Sequence, residues 1–130
     1  MMKTILLVDD DPDVLSSLEV ILGRPEYTIL AMPGAESALS VVREGARVDL
    51  VVTDYSMPGM DVREYFSRLK QALPSVPVIV LTGHSSVTTA IPAPGFVPYE
   101  IVNKPVEPKE LCRIVKSALD SFDAMGRPAS

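Results

Sequence analysis

Four short runs of the chain each lead into polar residues whose types can bind a cation and a phosphate. Three acids follow residues 5–8, one acid follows residues 50–52, a threonine follows residues 78–81 and a lysine follows residues 100–103: Asp9, Asp10, Asp11, Asp54, Thr82 and Lys104. An ionised carboxylate at the end of a buried strand is costly unless a cation or several hydrogen-bond donors meet it. Asp54 therefore requires partners, and the other three groups can supply them.

The elements that carry these residues alternate between strand and helix. Apolar runs predict buried strands at residues 5–8, 27–31, 50–52 and 78–81, and a fifth strand is predicted at 100–103. Helical spacing of apolar residues predicts helices between the strands, the first capped by Asp11 and the last starting near Pro108. We therefore predict an α/β fold, a doubly wound five-stranded parallel sheet with flanking helices. Sites in such sheets form beyond the carboxyl ends of the strands, so the four polar groups should share one rim.

The chemistry predicted for this rim is phosphoryl transfer. Converging carboxylates favour Mg²⁺ over zinc, which would need histidine or cysteine ligands. With the metal bound, Asp54 could attack phosphorus and hold an aspartyl phosphate. The Lys104 ammonium and the Thr82 hydroxyl could then meet the remaining phosphoryl oxygens, because this reaction depends mainly on positioning and charge neutralisation.

Four separated motifs make the chain resemble a response-regulator receiver domain of two-component signal transduction. The motifs are Leu7-Val8-Asp9-Asp10-Asp11, the segment from Asp49 to Asp61 that contains Thr53-Asp54-Tyr55-Ser56-Met57-Pro58, Leu81-Thr82-Gly83-His84 and Asn103-Lys104-Pro105. The match covers nearly the whole chain. It implies a flavodoxin-like strand order of 2-1-3-4-5 and a cis peptide bond before Pro105.

The resemblance also implies a role for each site residue. Asp54 would be the phosphoacceptor, and Thr82 and Lys104 would sense the phosphoryl group. The implied metal ligands for Mg²⁺ are Asp9, Asp10, Asp54 and the backbone carbonyl of Ser56. The implied donor is a sensor histidine kinase or a histidine phosphotransfer protein. Such a domain is a signalling phosphoacceptor that assists its own phosphorylation and dephosphorylation, and it is not a conventional enzyme.

One region departs from the family pattern. Pro92, Pro94 and Pro98 fall where a fourth helix is expected, and proline inside a helix costs about 3 kcal/mol or more. We expect this helix to be shortened to about residues 86–91 or replaced by a proline-rich loop. Ile101 stands where the family usually has an aromatic residue, three positions before Lys104. The output surface is therefore expected to be remodelled, while the phosphate site is intact.

Two other classes of function are alternatives to the phosphoacceptor: a docking module, and a flavodoxin-like binder or aspartate phosphatase. The broken helix is also compatible with a phosphorylation-independent receiver-like docking module. A flavin or nucleotide binder would need a Ser/Thr/Gly-rich loop after the first strand, where this chain has three acids. An aspartate-nucleophile phosphatase usually has a second Asp two residues after the nucleophile, and Ser56 occupies that position.

Composition limits the partners and the location. The net charge of -5 and the pI near 4.8 argue against direct nucleic-acid binding. One cysteine excludes an internal disulfide, and no apolar stretch resembles a signal peptide or a membrane span, so a cytoplasmic location without membrane contact is expected. We expect a receiver domain at residues 1–123 and a tail at 124–130. The signal would pass to a downstream protein target or to an output domain absent from this chain.

Overall fold

The computed structural model describes residues 2–55, 57–83 and 95–124, and their side chains as far as Ser121. Within these ranges five strands form one parallel sheet in the order β2-β1-β3-β4-β5, as predicted. The strands are β1 Lys3–Val8, β2 Tyr27–Met32, β3 Leu50–Asp54, β4 Val78–Thr82 and β5 Glu100–Asn103. The central strands β3 and β4 are buried along their whole length, as expected for uninterrupted apolar runs in a parallel sheet.

Four helices flank the sheet in the described part of the chain. They are α1 Pro12–Ile21, α2 Ala35–Arg43, α3 Val62–Ala72 and α4 Pro108–Ala124. Asp11 caps α1 by accepting a hydrogen bond from the Asp13 amide at 2.9 Å, and Pro12 takes the first helical position, as predicted. Asp61 caps α3 in the same way by accepting from the Arg63 amide at 3.1 Å. These caps fix the residues at which α1 and α3 begin.

The core consists of two layers, one on each face of the sheet. The first packs α2 and α3 against alternate strand residues such as Leu6, Val51 and Val80. The second packs α1 and α4 against the intervening residues, such as Leu7 and Val52. Successive side chains of a strand point to opposite faces, so β3 places Thr53 toward the α3 layer and Asp54 on the opposite side.

The proline-containing stretch is described only from Gly95 onward. The predicted helix at residues 86–91, with Pro92 and Pro94, lies outside the described residues, so its shortening stays a prediction. Phe96 is buried and its ring centroid lies 4.8 Å from that of Phe66 on α3. The residues just before β5 thus contribute to the α3 core layer.

The carboxyl-terminal helix extends to Ala124, the first residue of the predicted tail. Residues 125–130 lie outside the described part, so the boundary between domain and tail stays a prediction. No helix in the described ranges combines the length and the apolar character needed to cross a bilayer.

Candidate functional site

The predicted site residues lie at the carboxyl ends of four neighbouring strands. Asp9 directly follows β1, Asp54 and Thr82 are the last residues of β3 and β4, and Lys104 directly follows β5. The sheet register pairs Asp54 with Leu81 and Thr82 with Asn103. Strand order therefore brings together residues that are up to 95 positions apart in sequence.

Lys104 lies between two buried carboxylates. Its Nζ donates to Asp9 Oδ2 at 2.9 Å and lies 3.4 Å from Asp54 Oδ1. Asp9 is only 1% exposed and Asp54 9% exposed, so solvent screens these charges weakly. The backbone contributes as well, because the Lys104 amide donates to the Thr82 carbonyl at 2.8 Å. The Lys104–Pro105 peptide bond is cis, as the resemblance implied.

Three carboxylates form a cluster that suits a hard cation. Carboxylate oxygens of Asp9, Asp10 and Asp54 all lie within 4.8 Å of one another, and Asp10 is exposed while the other two are buried. Asp9 Oδ1 also accepts a hydrogen bond from the Asp11 amide at 2.9 Å, which orients this side chain. An all-oxygen donor set with one open side is the arrangement that Mg²⁺ uses, since this ion retains several waters. The residues present thus fit Mg²⁺.

The electrostatics of the cluster favour binding of positive charge. Burial raises the pKa of the Asp54 carboxyl to about 6, an effect that Lys104 reduces and the charge of Asp9 reinforces. Burial disfavours the charged form of Lys104, but its hydrogen bond to Asp9 and the charge of Asp54 raise its pKa overall. Near pH 7 Lys104 and most of Asp54 are therefore charged, and a further cation would lower the cost of ionising Asp54 in this buried position.

Two of the predicted site residues are less completely described. Thr82 is buried at the end of β4, on the face of the sheet that carries Val80 and Ile101. Ser56, the predicted source of a backbone carbonyl ligand, lies outside the described residues. On its amino-terminal side the Tyr55 amide donates to the Leu81 carbonyl at 2.7 Å, which ties the chain after Asp54 to β4.

Sequence reasoning missed a pair of hydroxyl groups next to Asp54. Thr53 Oγ1 and Tyr65 Oη lie 2.8 Å apart, and Thr53 Oγ1 also donates to the Asp54 carbonyl at 3.1 Å. Both side chains are buried. The available signal was that Tyr65 stands four residues before Leu69, which places it on the buried face of α3.

Comparisons with known proteins show the family to which this chain belongs. The model of the response regulator receiver domain family matches residues 5–116. The transcriptional regulatory protein GlrR of Escherichia coli (strain K12) is 36% identical over 117 residues, which are 89% of this chain and 26% of that protein. The DNA-binding transcriptional regulator NtrC of Bradyrhizobium sp. (strain RP501 Parasponia) is 34% identical over 116 residues, which are 89% of this chain and 24% of that protein. The chain thus spans about a quarter of the length of these relatives.

Solved structures show the same fold. A response regulator receiver domain protein from Clostridium thermocellum has a TM-score of 0.83 and 26% identity, with 95% of this chain and 99% of that chain covered. A CheY-like receiver domain protein from Methanospirillum hungatei JF-1 has a TM-score of 0.83 and 27% identity, with 97% and 100% covered. With its acidic rim, parallel sheet and strand order, the chain belongs to the response-regulator receiver domain family of two-component systems.

Proposed function

We propose that Asp54 accepts a phosphoryl group from a phosphohistidine and that the phosphorylated domain passes on the signal. One observation carries the proposal. Asp54 is the last residue of β3, and its carboxylate lies 3.4 Å from the Lys104 ammonium and in one cluster with the carboxylates of Asp9 and Asp10. Attack by a carboxylate on phosphorus requires cations that neutralise the negative charge of the attacking and transferred oxygens. Lys104 is one such cation, and the acidic cluster could hold a second.

The metal expected at this site is Mg²⁺, held by Asp9, Asp10, Asp54 and the backbone carbonyl of Ser56. The three carboxylates support this assignment through their spacing and through the raised pKa of Asp54. When bound, Mg²⁺ supplies positive charge to the phosphoryl oxygens. Its affinity should fall as the pH drops through about 6, because protonation removes Asp54 as a ligand.

The chain's own residues carry the transfer. A carboxylate oxygen of Asp54 forms a bond to phosphorus while the bond from phosphorus to the imidazole nitrogen of the donor breaks and its electron pair returns to the ring. The Lys104 ammonium pairs with one phosphoryl oxygen, and the Thr82 hydroxyl donates to another. In a separate hydrolysis step a water oxygen forms a bond to phosphorus while the bond between phosphorus and the Asp54 oxygen breaks. The protons of this water pass to phosphate or solvent, inorganic phosphate leaves and the Asp54 carboxylate is restored.

A cleft beside Lys104 supports a protein as the phosphoryl donor. It has a volume of about 270 Å³ and lies between α1 and the segment after β5. Most of its lining is apolar, with Val14, Leu18, Ile21, Pro105 and Val106. An apolar face of a helix from a histidine kinase or phosphotransfer protein would pack here, and it would bring the phosphohistidine to the neighbouring rim.

Phosphorylation changes the charge of a closely packed rim. The modification adds about -1.5 to -2 charges at pH 7, which biases the equilibrium between two arrangements of the surrounding loops. This chain aligns with only about a quarter of the length of the relatives named as transcriptional regulators. We propose that the signal is read by a downstream protein or an output domain, without direct contact between this domain and nucleic acid.

The test is incubation with Mg²⁺ and acetyl phosphate followed by intact-mass measurement. We expect a mass gain of one phosphoryl group that depends on Mg²⁺ and disappears in Asp54→Asn and Asp54→Ala. Modification that persists in these variants would show that another residue is the acceptor. An unchanged mass of the original chain, together with no binding of beryllofluoride, would favour the phosphorylation-independent docking module instead.

A further inference from the structure

Two buried hydroxyl groups connect α3 to the backbone of the phosphoacceptor. Tyr65 Oη lies 2.8 Å from Thr53 Oγ1, and Thr53 Oγ1 lies 3.1 Å from the carbonyl oxygen of Asp54. Tyr65 is 2% exposed and Thr53 0% exposed, so water cannot replace either partner. Thr53 and Tyr65 are 12 positions apart in sequence, and their contact joins α3 to the carboxyl end of β3.

The direction of both hydrogen bonds follows from the donor inventory. The Asp54 carbonyl can only accept, so the single proton of the Thr53 hydroxyl points to it. Thr53 Oγ1 must then accept from Tyr65, which requires a protonated phenol. Burial raises the pKa of Tyr65, with the charge of Asp54 adding to the rise and the Thr53 contact opposing it, so the phenol stays protonated. The chain of donation runs from Tyr65 through Thr53 to Asp54.

Packing alone does not require polar side chains at positions 53 and 65. The neighbouring residues of the same core layer are apolar, among them Val51 on the same face of β3. Replacing both partners of a buried hydrogen bond by apolar groups of similar shape is often close to neutral for stability. Apolar residues at these two positions could fill the same space, but they could not form the hydrogen bond to the Asp54 carbonyl.

We infer that Tyr65 and Thr53 are positioning residues for phosphoryl transfer, because together they hold the peptide of Asp54 so that its carboxylate faces Lys104 and the acidic cluster. The inference rests on the proposed phosphoacceptor function of Asp54. Tyr65 and Thr53 do not contact the reacting atoms and act only through the backbone of β3. The amide of the same peptide, that of Tyr55, stays bonded to the Leu81 carbonyl, so loss of either hydroxyl loosens this peptide without releasing it. The looser peptide lowers the fraction of molecules with the carboxylate in the reactive orientation.

The experiment compares Tyr65→Phe and Thr53→Val with the double variant. Each single change removes one hydroxyl and nearly preserves shape. We expect kcat/KM for phosphorylation by acetyl phosphate to fall about 5- to 20-fold in each, with no further loss in the double variant, because both changes break one chain. Thr53→Ser, which keeps the hydroxyl, should restore most of the rate. Rates are measured well below the melting temperature of every variant.

Tyr99→Phe is the matched control. Tyr99 Oη lies 2.8 Å from Ser117 Oγ, so this variant deletes a tyrosine hydroxyl from a bond of the same length at the other side of the sheet. We expect its phosphorylation rate to equal that of the original chain. The inference is overturned if Tyr65→Phe and Thr53→Val lose stability but keep the original rate, or if their losses simply multiply.

A second readout separates this inference from the proposed function. Asp54 is also a proposed metal ligand, so Mg²⁺ affinity, followed by tyrosine fluorescence, should weaken about 3-fold or more in Tyr65→Phe and Thr53→Val. If the original chain binds Mg²⁺ but gains no phosphoryl group, the proposed function fails while weaker binding in both variants still supports the positioning role. Unchanged Mg²⁺ affinity in both variants would overturn the role.

Discussion

The strand-end rim and the edge of the sheet at β5 are stabilised by different physical interactions. At the rim, Lys104 lies within 3.4 Å of Asp54 and 2.9 Å of Asp9, in a weakly solvated cluster of charges. At the edge, Phe96 packs on Phe66, Ile101 packs against the same core layer, and Tyr99 hydrogen-bonds to α4. We therefore expect the rim to respond to added charge and the edge to respond to changes in side-chain volume.

This difference assigns two roles to two regions: the rim would bind the metal and the phosphoryl group, and the edge at β5 would pass on the signal. In the family pattern an aromatic residue at position 101 would report the state of the threonine at the end of β4. Here Ile101 has neither a ring nor a hydroxyl, and Tyr99 is bonded to Ser117 of α4. Within the described residues, packing of the α3 layer is one physical link between the two regions, because Phe66 contacts both Tyr55 and Phe96. The predictions below test whether the two regions are independent.

Lys104→Met should have the largest effect. It leaves Asp9 buried without its cation, and removal of one partner from a buried ion pair typically costs about 3 to 5 kcal/mol of unfolding free energy. Phosphorylation by acetyl phosphate should also slow by about 100-fold, as for the loss of one preorganised charge contact in a transition state. Urea unfolding with and without Mg²⁺ measures the first effect, and Mg²⁺ should restore part of the stability.

Lys116→Met is the control for this change. Lys116 lies 3.4 Å from Asp120 on the exposed surface of α4, and both side chains are mostly exposed. Exposed pairs contribute little, so stability and rate should stay unchanged. Equal losses in the two lysine variants would show that the rim is not electrostatically distinct from the surface.

Phe96→Ala tests the edge by the same two measurements, the unfolding free energy and the rate of phosphorylation. Removal of this buried ring should lower the unfolding free energy by about 3 kcal/mol, because a cavity remains next to Phe66. The rate of phosphorylation should stay within about 2-fold of the original, since no charge at the rim changes. Val97→Ala, at a neighbouring residue that is 84% exposed, should alter neither quantity. A large rate loss in Phe96→Ala would break the separation between the two regions.

The difference in stability between Asp54→Asn and the original chain should depend on pH because of the rim. The pKa of Asp54 is about 6 in the folded chain and 3.8 ordinarily, so the folded state binds this proton more tightly than the unfolded state. Ionisation of Asp54 therefore lowers stability as the pH rises from about 4 to about 6. Asp54→Asn avoids this cost, and its stability relative to the original chain should increase by about 2 kcal/mol across that interval without Mg²⁺.

The measurement is a series of urea titrations of both proteins from pH 4 to pH 7.5. Taking the difference between them cancels the titration of the other carboxylates. A difference that does not change with pH would show that burial does not perturb Asp54. Addition of Mg²⁺ should reduce the difference near pH 7, because the ion favours the ionised carboxylate.

Tyr99→Phe should have the smallest effect. It deletes one hydrogen bond, to Ser117, at a partly exposed position, so the unfolding free energy should fall by about 0.5 to 1 kcal/mol. Ser117→Ala should give a similar value, and the double variant should lose no more than either single one. A change in phosphate lifetime in either variant would show that Tyr99 takes part in the readout despite its bond to α4.

Most of the elements and the rim could be predicted because their signals are local. Asp11 before Pro12 predicted the start of α1, and uninterrupted apolar runs predicted β3 and β4 as central strands. The hydroxyl pair could not be predicted with the same means. A threonine in a strand and a tyrosine on an apolar helical face are both typical of ordinary packing, and their contact depends on the register of α3 over β3.

By itself, the sequence determined the order of strands and helices, the parallel sheet and the residue types gathered at its carboxyl edge. Hydrophobic periodicity and capping encode these features over short stretches of chain. Only the tertiary structure decided that Lys104 lies closer to Asp9 than to Asp54, that Phe96 joins the α3 layer and that Tyr65 reaches Thr53. Such distances depend on how whole elements rotate and slide against one another, and no local pattern records those adjustments.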